Sequence, residues 1–439
     1  MTATSRSRLA DAARAALAKH KGIAAWQLTR ASQAGLQTYL VKTQLESQRQ
    51  VRGETVAATV FVKNGELLGS ANVTFREDGL PHIDRRVDDA VFMAGLGGVT
   101  PWSLPGVATF PQLEMFDPAL AGTAVVDTSR MIADAWRAAV KQHGSEVRPS
   151  SMEVFCGENE QTLENSSGLL AHSKSTRVSL LTMLLADGTR PSERYSWDER
   201  RRVADLDVAG LVGRAADEAH ALTRAQPPPS GQLAVVIDAA ELVAFLSPIQ
   251  SNAAAESLYQ KSSRFEQGKP IPIDTTGGEP FNAVSNALIP FGLASYAFDG
   301  NGIPGQRIEV IKDGVFNRAL TTKQYADYLK LEPTGGFANW ELPAGKTPLA
   351  ELLSHDGPVL YVQSFSWLTP DNARGNFGSE IRVGTLYDKG AATPIKGGTV
   401  SGNVFSALGT AHYSKELVFR GDYLGPAAVR FEGLTVSGS

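Results

Sequence analysis

The stretch Gln226-Pro227-Pro228-Pro229-Ser230-Gly231 divides the sequence into two parts of different character. Three consecutive prolines cannot continue a helix, and they favour an extended spacer. We therefore predict an N-terminal domain at residues 1–225, a Pro-rich linker at 226–231 and a C-terminal domain at 232–439. The total of 439 residues agrees with two or three domains at roughly 150 residues each.

The N-terminal part predicts helices mixed with antiparallel strands. Two apolar runs, Val56 to Val62 and Leu67 to Phe75, are separated by Asn64-Gly65, which is a strong hairpin signal. The apolar spacing between Ser129 and Gln142 is typical of a helix. The other elements that the pattern predicts are helices at Ile83–Met93 and Asp205–Arg224, and strands at Met152–Cys156, Gly168–Ser173 and Thr176–Ala186.

The C-terminal part predicts mainly β structure. It begins with a short apolar strand at Leu233–Ile237 and a mostly helical stretch at Ala239–Gln260. Beyond Pro270 the predicted strands are short and lie at Arg307–Ile311, Val315–Leu320, Val359–Phe365, Ile381–Tyr387 and Val400–Phe405. The sequence therefore predicts an α+β protein with an N-terminal mixed α/β domain, which has an antiparallel sheet and helices, and a C-terminal, mainly antiparallel β domain.

Composition excludes several classes of protein. Lys and Arg number 42 against 46 Asp and Glu, so the net charge of −4 argues against a nucleic-acid partner. The single cysteine, Cys156, cannot form an internal disulfide. No apolar run reaches the roughly 18 residues of a membrane span, and Thr2–Lys21 lacks the apolar centre of a secretory signal. We expect a cytoplasmic protein without a membrane partner.

Catalytic motifs are absent from the sequence. No histidine is followed by Glu, no two of the seven histidines lie within a few residues of each other, and neither G-x-S-x-G nor S-x-x-K occurs. Gly300–Gly305 matches G-x-G-x-x-G, but Gln306–Ile311 alternates like a strand, so we interpret it as a turn. These patterns leave open a binding or partner role, or a reaction that uses scattered residues such as Cys156 or His172.

Several short motifs, in order along the chain, resemble the TldD/PmbA family, once described as modulators of DNA gyrase. The similarity spans roughly Val154 to Phe405 and departs from the family pattern at Asn301 and at Thr334-Gly335-Gly336. The motifs that carry it are Asn165-Ser166-Ser167-Gly168, Val235-Val236-Ile237-Asp238, Ser262-Ser263-Arg264-Phe265, Phe298-Asp299-Gly300-Asn301-Gly302-Ile303-Pro304, Ile311-Lys312-Asp313-Gly314-Val315-Phe316 and Pro343-Ala344-Gly345 with Glu351-Leu352-Leu353.

The resemblance also distinguishes between two kinds of subunit. TldD-like chains carry H-E-x-x-x-H on a central helix and form a metallopeptidase, whereas TldE (PmbA)-like chains lack the motif and pair with a TldD-like chain. Here the corresponding positions include Gln250, Ser251, Asn252 and Glu256, without a histidine. One carboxylate alone cannot hold zinc. The resemblance therefore implies a TldE-like component of a metallopeptidase complex, with no catalytic or metal residues and no cofactor, and with zinc in its partner.

The resemblance implies a role in peptide processing. The family pair is implicated in removing leader peptides, in maturing modified-peptide antibiotics and in degrading unfolded peptides. We expect this chain to shape a chamber that admits extended peptide, held through backbone pairing. Asn376, Phe377 and Gly378, in a Gly-rich strand, are the predicted peptide contacts. The alternative is a stand-alone peptide-binding or scaffold protein without peptidase involvement.

Overall fold

The computed structural model describes residues 7–144, 147–188, 190–273, 276–354 and 357–438. His355 and the beginning of the Thr2–Lys21 stretch lie outside these ranges. Within them, no helix is long and apolar enough to cross a membrane.

A six-stranded antiparallel sheet dominates the region before the proline segment. Its strand order is β3-β2-β1-β4-β5-β6, so β3 and β6 form its edges. The strands are β1 (Ala25–Val41), β2 (Gln44–Asn64), β3 (Leu67–Phe75), β4 (Val147–Asn165), β5 (Leu170–Ala186) and β6 (Ser192–Arg200).

Four helices cover this sheet, namely α1 (Arg8–Lys19), α2 (Ile83–Ala94), α3 (Ala124–Gln142) and α4 (Val208–Leu222). The apolar faces of α3 and α4 share a core with the inner residues of β4 and β5. Trp136 on α3 is completely buried there, and its indole Nε1–H donates to the Thr182 hydroxyl on β5 at 2.8 Å. This hydrogen bond satisfies the one polar atom of a large apolar side chain.

Two sheets follow the proline segment. In one, β7 (Gly231–Asp238), β19, β15, β13 and β12 pair in turn, and β12 pairs back to β7, which closes a five-stranded ring. The remaining strands of the ring sheet are β12 (Val359–Phe365), β13 (Asn376–Asp388), β14 (Ala391–Ile395), β15 (Thr399–Asn403), β16 (His412–Tyr413) and β19 (Ala428–Ser437). The other sheet has the order β10-β9-β8-β11-β18-β17, with β8 (Ala283–Asn286), β9 (Arg307–Lys312), β10 (Val315–Phe316), β11 (Asn339–Glu341), β17 (Leu417–Arg420) and β18 (Tyr423–Pro426).

Short helices fill the space around the ring. One continuous apolar core joins α5, α6, the ring strands and the second C-terminal sheet. The helices are α5 (Ala239–Phe245), α6 (Ser247–Ala253), α7 (Ala255–Tyr259), α8 (Lys323–Leu329), α9 (Leu349–Leu352) and α10 (Val404–Leu408). The proline segment is held against the ring sheet, because the Gln226 N–H donates to the Pro394 carbonyl at 3.0 Å.

The predicted α+β class is confirmed, as are the Asn64-Gly65 hairpin and the turn at Gly300–Gly305, which precedes strand β9. Some predicted elements are wrong. The strands predicted at Gly168–Ser173 and Thr176–Ala186 are one strand, β5, which begins at Leu170, since its long ladder with β4 continues through Ser175. The strand predicted at Val400–Phe405 ends at Asn403, whose side chain caps α10. Of the strand predicted at Val315–Leu320, only Val315 and Phe316 are in a strand, β10. Two pairings, β7 with β12 and β11 with β18, are parallel.

A pair of glycines lets the long strands β1 and β4 approach closely. Gly35 and Gly157 lie opposite each other in the register. A Cβ atom at Gly35 would stand 2.5 Å from the Cys156 carbonyl oxygen, and one at Gly157 would stand 2.7 Å from the Ala34 carbonyl oxygen. A backbone carbonyl cannot move aside as the end of a flexible side chain can. Both positions therefore require glycine.

Gly35→Ala should lower the free energy of unfolding by about 1–3 kcal/mol, because the added methyl group overpacks a backbone carbonyl. Gly53→Ala is the matched control on the neighbouring strand β2, where the new Cβ would meet only the Gln33 side chain at 3.5 Å. We expect the control to change stability by less than about 0.5 kcal/mol. Urea unfolding followed by circular dichroism measures both, and equal effects would contradict the close approach.

Candidate functional site

The helical stretch that carries the predicted degenerate metal positions is broken into α5, α6 and α7. The break between α6 and α7 occurs at Ala254, whose backbone is extended with φ −72° and ψ 133°. At this break the backbone of Ala253 and Ala255 pairs with Leu320. The Ala255 N–H donates to the Leu320 carbonyl at 2.9 Å, and the Leu320 N–H donates to the Ala253 carbonyl at 2.9 Å. Ala239–Gln260 is therefore three short helices, and Glu256 on α7 is not on the helix of Gln250, Ser251 and Asn252.

The side chain of Asn252 is buried, with 2% of its surface exposed, and its amide is bonded to the protein backbone. Its Nδ2 donates to the Pro248 carbonyl at 2.8 Å and to the Asn372 carbonyl at 3.0 Å. Its Oδ1 accepts from the Arg264 N–H at 2.7 Å. Both amide hydrogens and one acceptor position are thus in use, which is the usual state of a buried amide.

The Asp371–Gly375 loop forms hydrogen bonds to α6 and to the beginning of β13. It therefore connects the two predicted site regions. On one side it receives the Asn252 hydrogen bond. On the other side the Asp371 N–H donates to the Asn376 carbonyl at 2.8 Å. The Asn403 side chain also donates to the Arg374 carbonyl at 2.7 Å and to Asn376 Oδ1 at 2.8 Å.

The three predicted peptide contacts have different environments. Asn376 and Gly378 are exposed. Phe377 points into the core, where 7% of its surface is exposed and its ring centroid lies 5.4 Å from that of Phe245. Only the Asn376 side chain and the Gly378 backbone are therefore presented at this surface.

Two arginines belong to the segments that bond to Asn252, since the Arg264 N–H donates to its amide and Arg374 lies in the Asp371–Gly375 loop. The Arg264 guanidinium lies over the Phe405 ring at 4.6 Å from its centroid, a favourable cation–π contact. Among the described residues, neither Arg264 nor Arg374 has a carboxylate within salt-bridge distance. Sequence patterns did not identify these arginines. The resemblance covered Arg264 without giving it a role.

Glu256 faces a different group of side chains. Its Oε1 accepts from the Tyr325 hydroxyl at 2.9 Å and from Gln260 Nε2 at 3.1 Å. Burial and the bond to Glu256 raise the pKa of Tyr325 to about 12. Tyr259, Tyr325 and Tyr328 pack together beside it. The structure thus keeps Glu256 apart from the hydrogen-bond network of Asn252.

The residues of this site do not fit a zinc centre. Zinc takes histidine, cysteine or carboxylate donors. The described part of the chain holds no group of three or more such side chains placed to bind a metal ion. The Asn252 amide is committed to backbone atoms, so it is not free to act as a metal ligand.

The scattered residues Cys156 and His172 do not form a catalytic pair. Cys156 is 3% exposed, and burial raises the pKa of its thiol to about 12. His172 Nε2 lies 2.8 Å from Glu160 Oε1 on the neighbouring strand. His172 is opposite Thr162 in the register, so it lies about 20 Å along β4 from Cys156 at the usual rise of a strand.

Comparisons with known proteins agree with this fold. Residues 230–438 match the family model of the PmbA/TldA metallopeptidase C-terminal domain, and residues 124–223 match that of the central domain. Together these matches cover more than half of the chain and define a metalloprotease-like protein. The chain belongs to the PmbA/TldD family.

Individual relatives are distant. A match to the metalloprotease PmbA of Escherichia coli O157:H7 is 29% identical over 308 residues and covers 67% of this chain and 65% of that protein. A metalloprotease of Methanothermobacter thermautotrophicus is 24% identical over 269 residues, covering 57% of this chain and 59% of that protein. The matched regions thus span less than two thirds of the length of these relatives.

Solved structures share the fold along nearly the whole chain. TldE from Thermococcus kodakarensis superposes with a TM-score of 0.81 at 17% identity, covering 95% of this chain and 98% of that one. A protein described as a candidate modulator of DNA gyrase from Bacteroides thetaiotaomicron gives a TM-score of 0.83 at 19% identity, with 100% of both chains covered.

Asn252→Ala should lower the free energy of unfolding by about 2–4 kcal/mol, because buried backbone groups lose their partners at roughly 1–3 kcal/mol each. Gln250→Ala on the same helix is the matched control, since no hydrogen bond among the described residues ties the half-buried Gln250 side chain to this network. We expect a change below about 1 kcal/mol. Thermal or urea unfolding tests the difference. Similar losses in both variants would show that the Asn252 amide has no special structural role.

Cys156 should resist thiol reagents in the folded protein. An ordinary cysteine has a pKa of roughly 8.5 and is half ionised at that pH, whereas a thiol with a pKa of about 12 carries almost no thiolate there. Reaction with dithiobis(nitrobenzoate) at pH 8.5 should be slow in buffer and fast in denaturant. Rapid reaction of the native protein would revive Cys156 as a candidate nucleophile.

Proposed function

We propose that this chain is the non-catalytic, TldE/PmbA-like subunit of a heterodimeric metallopeptidase of the TldD/TldE type. The observation that carries the proposal is the state of Asn252: at the helix where the resemblance expects metal-binding residues in a TldD-like chain, an amide is bonded to the backbone at Pro248, Asn372 and Arg264. Hydrolysis by a zinc-bound water needs an ion to acidify that water. In this proposal the TldD-like partner holds the zinc.

The contribution of this chain is structural, and its substrate is an extended peptide. It shapes part of a chamber that excludes folded proteins and receives peptide for proteolytic processing or for maturation of a natural product. Asn376 and the backbone of Gly378, both exposed at the beginning of β13, are proposed contacts for that peptide. A cytoplasmic location belongs to the same proposal.

The names of the relatives support a peptidase connection. The proteins from Escherichia coli and Methanothermobacter thermautotrophicus are both called metalloproteases. The fold is shared with a protein called TldE. A subunit without metal-binding residues reconciles the family with the side chains at Asn252.

Co-expression with a TldD-like chain tests the proposal. We expect a stable 1:1 complex by size-exclusion chromatography with light scattering, and cleavage of an unfolded peptide by the complex but not by this chain alone. Replacing the first histidine of the partner's H-E-x-x-x-H motif with alanine should abolish cleavage, whereas Gln250→Ala in this chain should leave it in place. If no complex forms while the isolated chain binds extended peptide, the stand-alone peptide-binding function is correct instead.

A further inference from the structure

A cleft of about 770 Å³ separates the edge of the first sheet from the C-terminal region. Residues 194–199 of β6 form one wall. The other walls consist of one face of α4, the first turns of α5, the middle of β12 and the turn between β17 and β18. Its volume is in the range of ordinary ligand sites.

The cleft follows the edge of β6. Successive side chains of a strand point to opposite faces of the sheet. Tyr195 and Trp197 nevertheless line the cleft together with Arg194, Ser196 and Asp198, so both faces of the strand border it. In the part of the chain that the structure describes, the backbone of β6 pairs with β5 on one side and with no strand on the other. An edge strand of this kind can pair with an added strand.

The other strand edge proposed to contact peptide, at Gly378 on β13, is short. Its neighbours are already bonded on that side, because the Asp371 N–H donates to the Asn376 carbonyl at 2.8 Å and the Ser366 N–H donates to the Glu380 carbonyl at 2.9 Å. Little more than Gly378 remains open there. On β6 the Glu199 N–H donates to the Asp198 carboxylate at 2.9 Å, which leaves the edge from Arg194 to Asp198 for a partner.

The charges in the cleft favour a cationic ligand. Six carboxylates and four arginines line it. Four of the carboxylates have an arginine within salt-bridge distance, the pairs being Asp198–Arg200, Glu199–Arg177, Glu218–Arg194 and Asp238–Arg420. Among the described residues, Glu241 and Asp422 have no such partner.

Glu241 is held in place by the backbone, and Asp422 lines the same cleft. Glu241 Oε1 accepts from the Phe365 N–H at 3.2 Å, which fixes its position on the first turn of α5. Burial raises the pKa of both carboxyl groups above their ordinary values. A ligand cation would supply the missing opposite charge.

We propose that β6 accepts an extended peptide as a seventh strand in this cleft, and that Glu241 and Asp422 select a basic side chain of that peptide. The inference rests on the proposed function, in which the chain receives extended peptide. Main-chain pairing supplies binding that is independent of sequence, and the two carboxylates supply the preference. Trp197, 54% exposed at the cleft, offers a ring against which the stem of a lysine or arginine packs.

Fluorescence anisotropy with the full chain tests this site. The probe is a fluorescein-labelled heptapeptide of alternating threonine and valine, blocked at both ends, with lysine at its centre. We expect it to bind about tenfold more tightly than the same peptide with norleucine or glutamate there, as expected for loss of one charge-assisted contact. Methylation of alternate backbone nitrogens in the peptide should weaken binding at least tenfold, because it removes donors to β6.

Variants of the chain then assign the preference to the two acids. Glu241→Gln combined with Asp422→Asn should remove the difference between the lysine and norleucine peptides. Glu351→Gln, a change of an exposed acid outside the cleft, should leave it unchanged. Circular dichroism confirms that each variant is folded, and the peptide substitutions test the site even without a variant.

Several results would overturn the inference. These are equal binding of the lysine and norleucine peptides, unchanged binding of the N-methylated peptide, or binding of lysine amide as tight as that of the heptapeptide. A TldD-like complex that forms and cleaves peptide normally while the chain shows no lysine preference would reject this site and retain the proposed function. An intact lysine preference without any complex would retain this site and reject the proposed function.

Discussion

The hydrogen bonds of the Asn252 side chain connect three segments that are far apart in sequence. Through this one amide, α6 is tied to the loop at Asn372 and to the backbone at Arg264. That loop in turn sets the beginning of β13 through Asn376. A position on this helix therefore serves the architecture, and the same donors and acceptors are not free to coordinate an ion.

In the proposed function, the rest of the molecule receives peptide that a partner cuts. The first sheet ends in the edge strand β6, and the ring of strands after the proline segment faces it across the cleft. Close packing at Gly35 and Gly157 holds the long strands of that sheet together. Glu241 and Asp422 give the cleft two carboxylates without a salt-bridge partner among the described residues.

Local sequence patterns predicted the turns and helices that depend on residues close together in the chain. The Asn64-Gly65 turn and the apolar stripe of α3 were correctly interpreted because turn geometry and helical periodicity are encoded over a few residues. The break at Ala254 was missed because it depends on pairing with Leu320, a contact made across the fold. Strand β6 was missed because its residues are charged, serine or aromatic, so it lacks the aliphatic run that predicts a strand.

The candidate site was only partly predictable for the same reason. The absence of histidine from α6 is visible in the sequence, but the use of Asn252 as a backbone anchor depends on residues more than a hundred positions away. Phe377 was predicted as a peptide contact because it lies in a Gly-rich strand, yet its side chain lies in the core beside Phe245. The cleft combines residues from β6, α5, β12 and the β17–β18 turn, which no linear motif joins.

The metal content of the purified chain tests the central claim most directly. Elemental analysis should find no stoichiometric zinc in this chain alone and one zinc per heterodimer with a TldD-like partner, lost when the partner's histidine motif is altered. One tightly bound zinc per isolated chain, together with peptide cleavage by that chain, would contradict the assignment of Asn252 to the architecture and of catalysis to a partner.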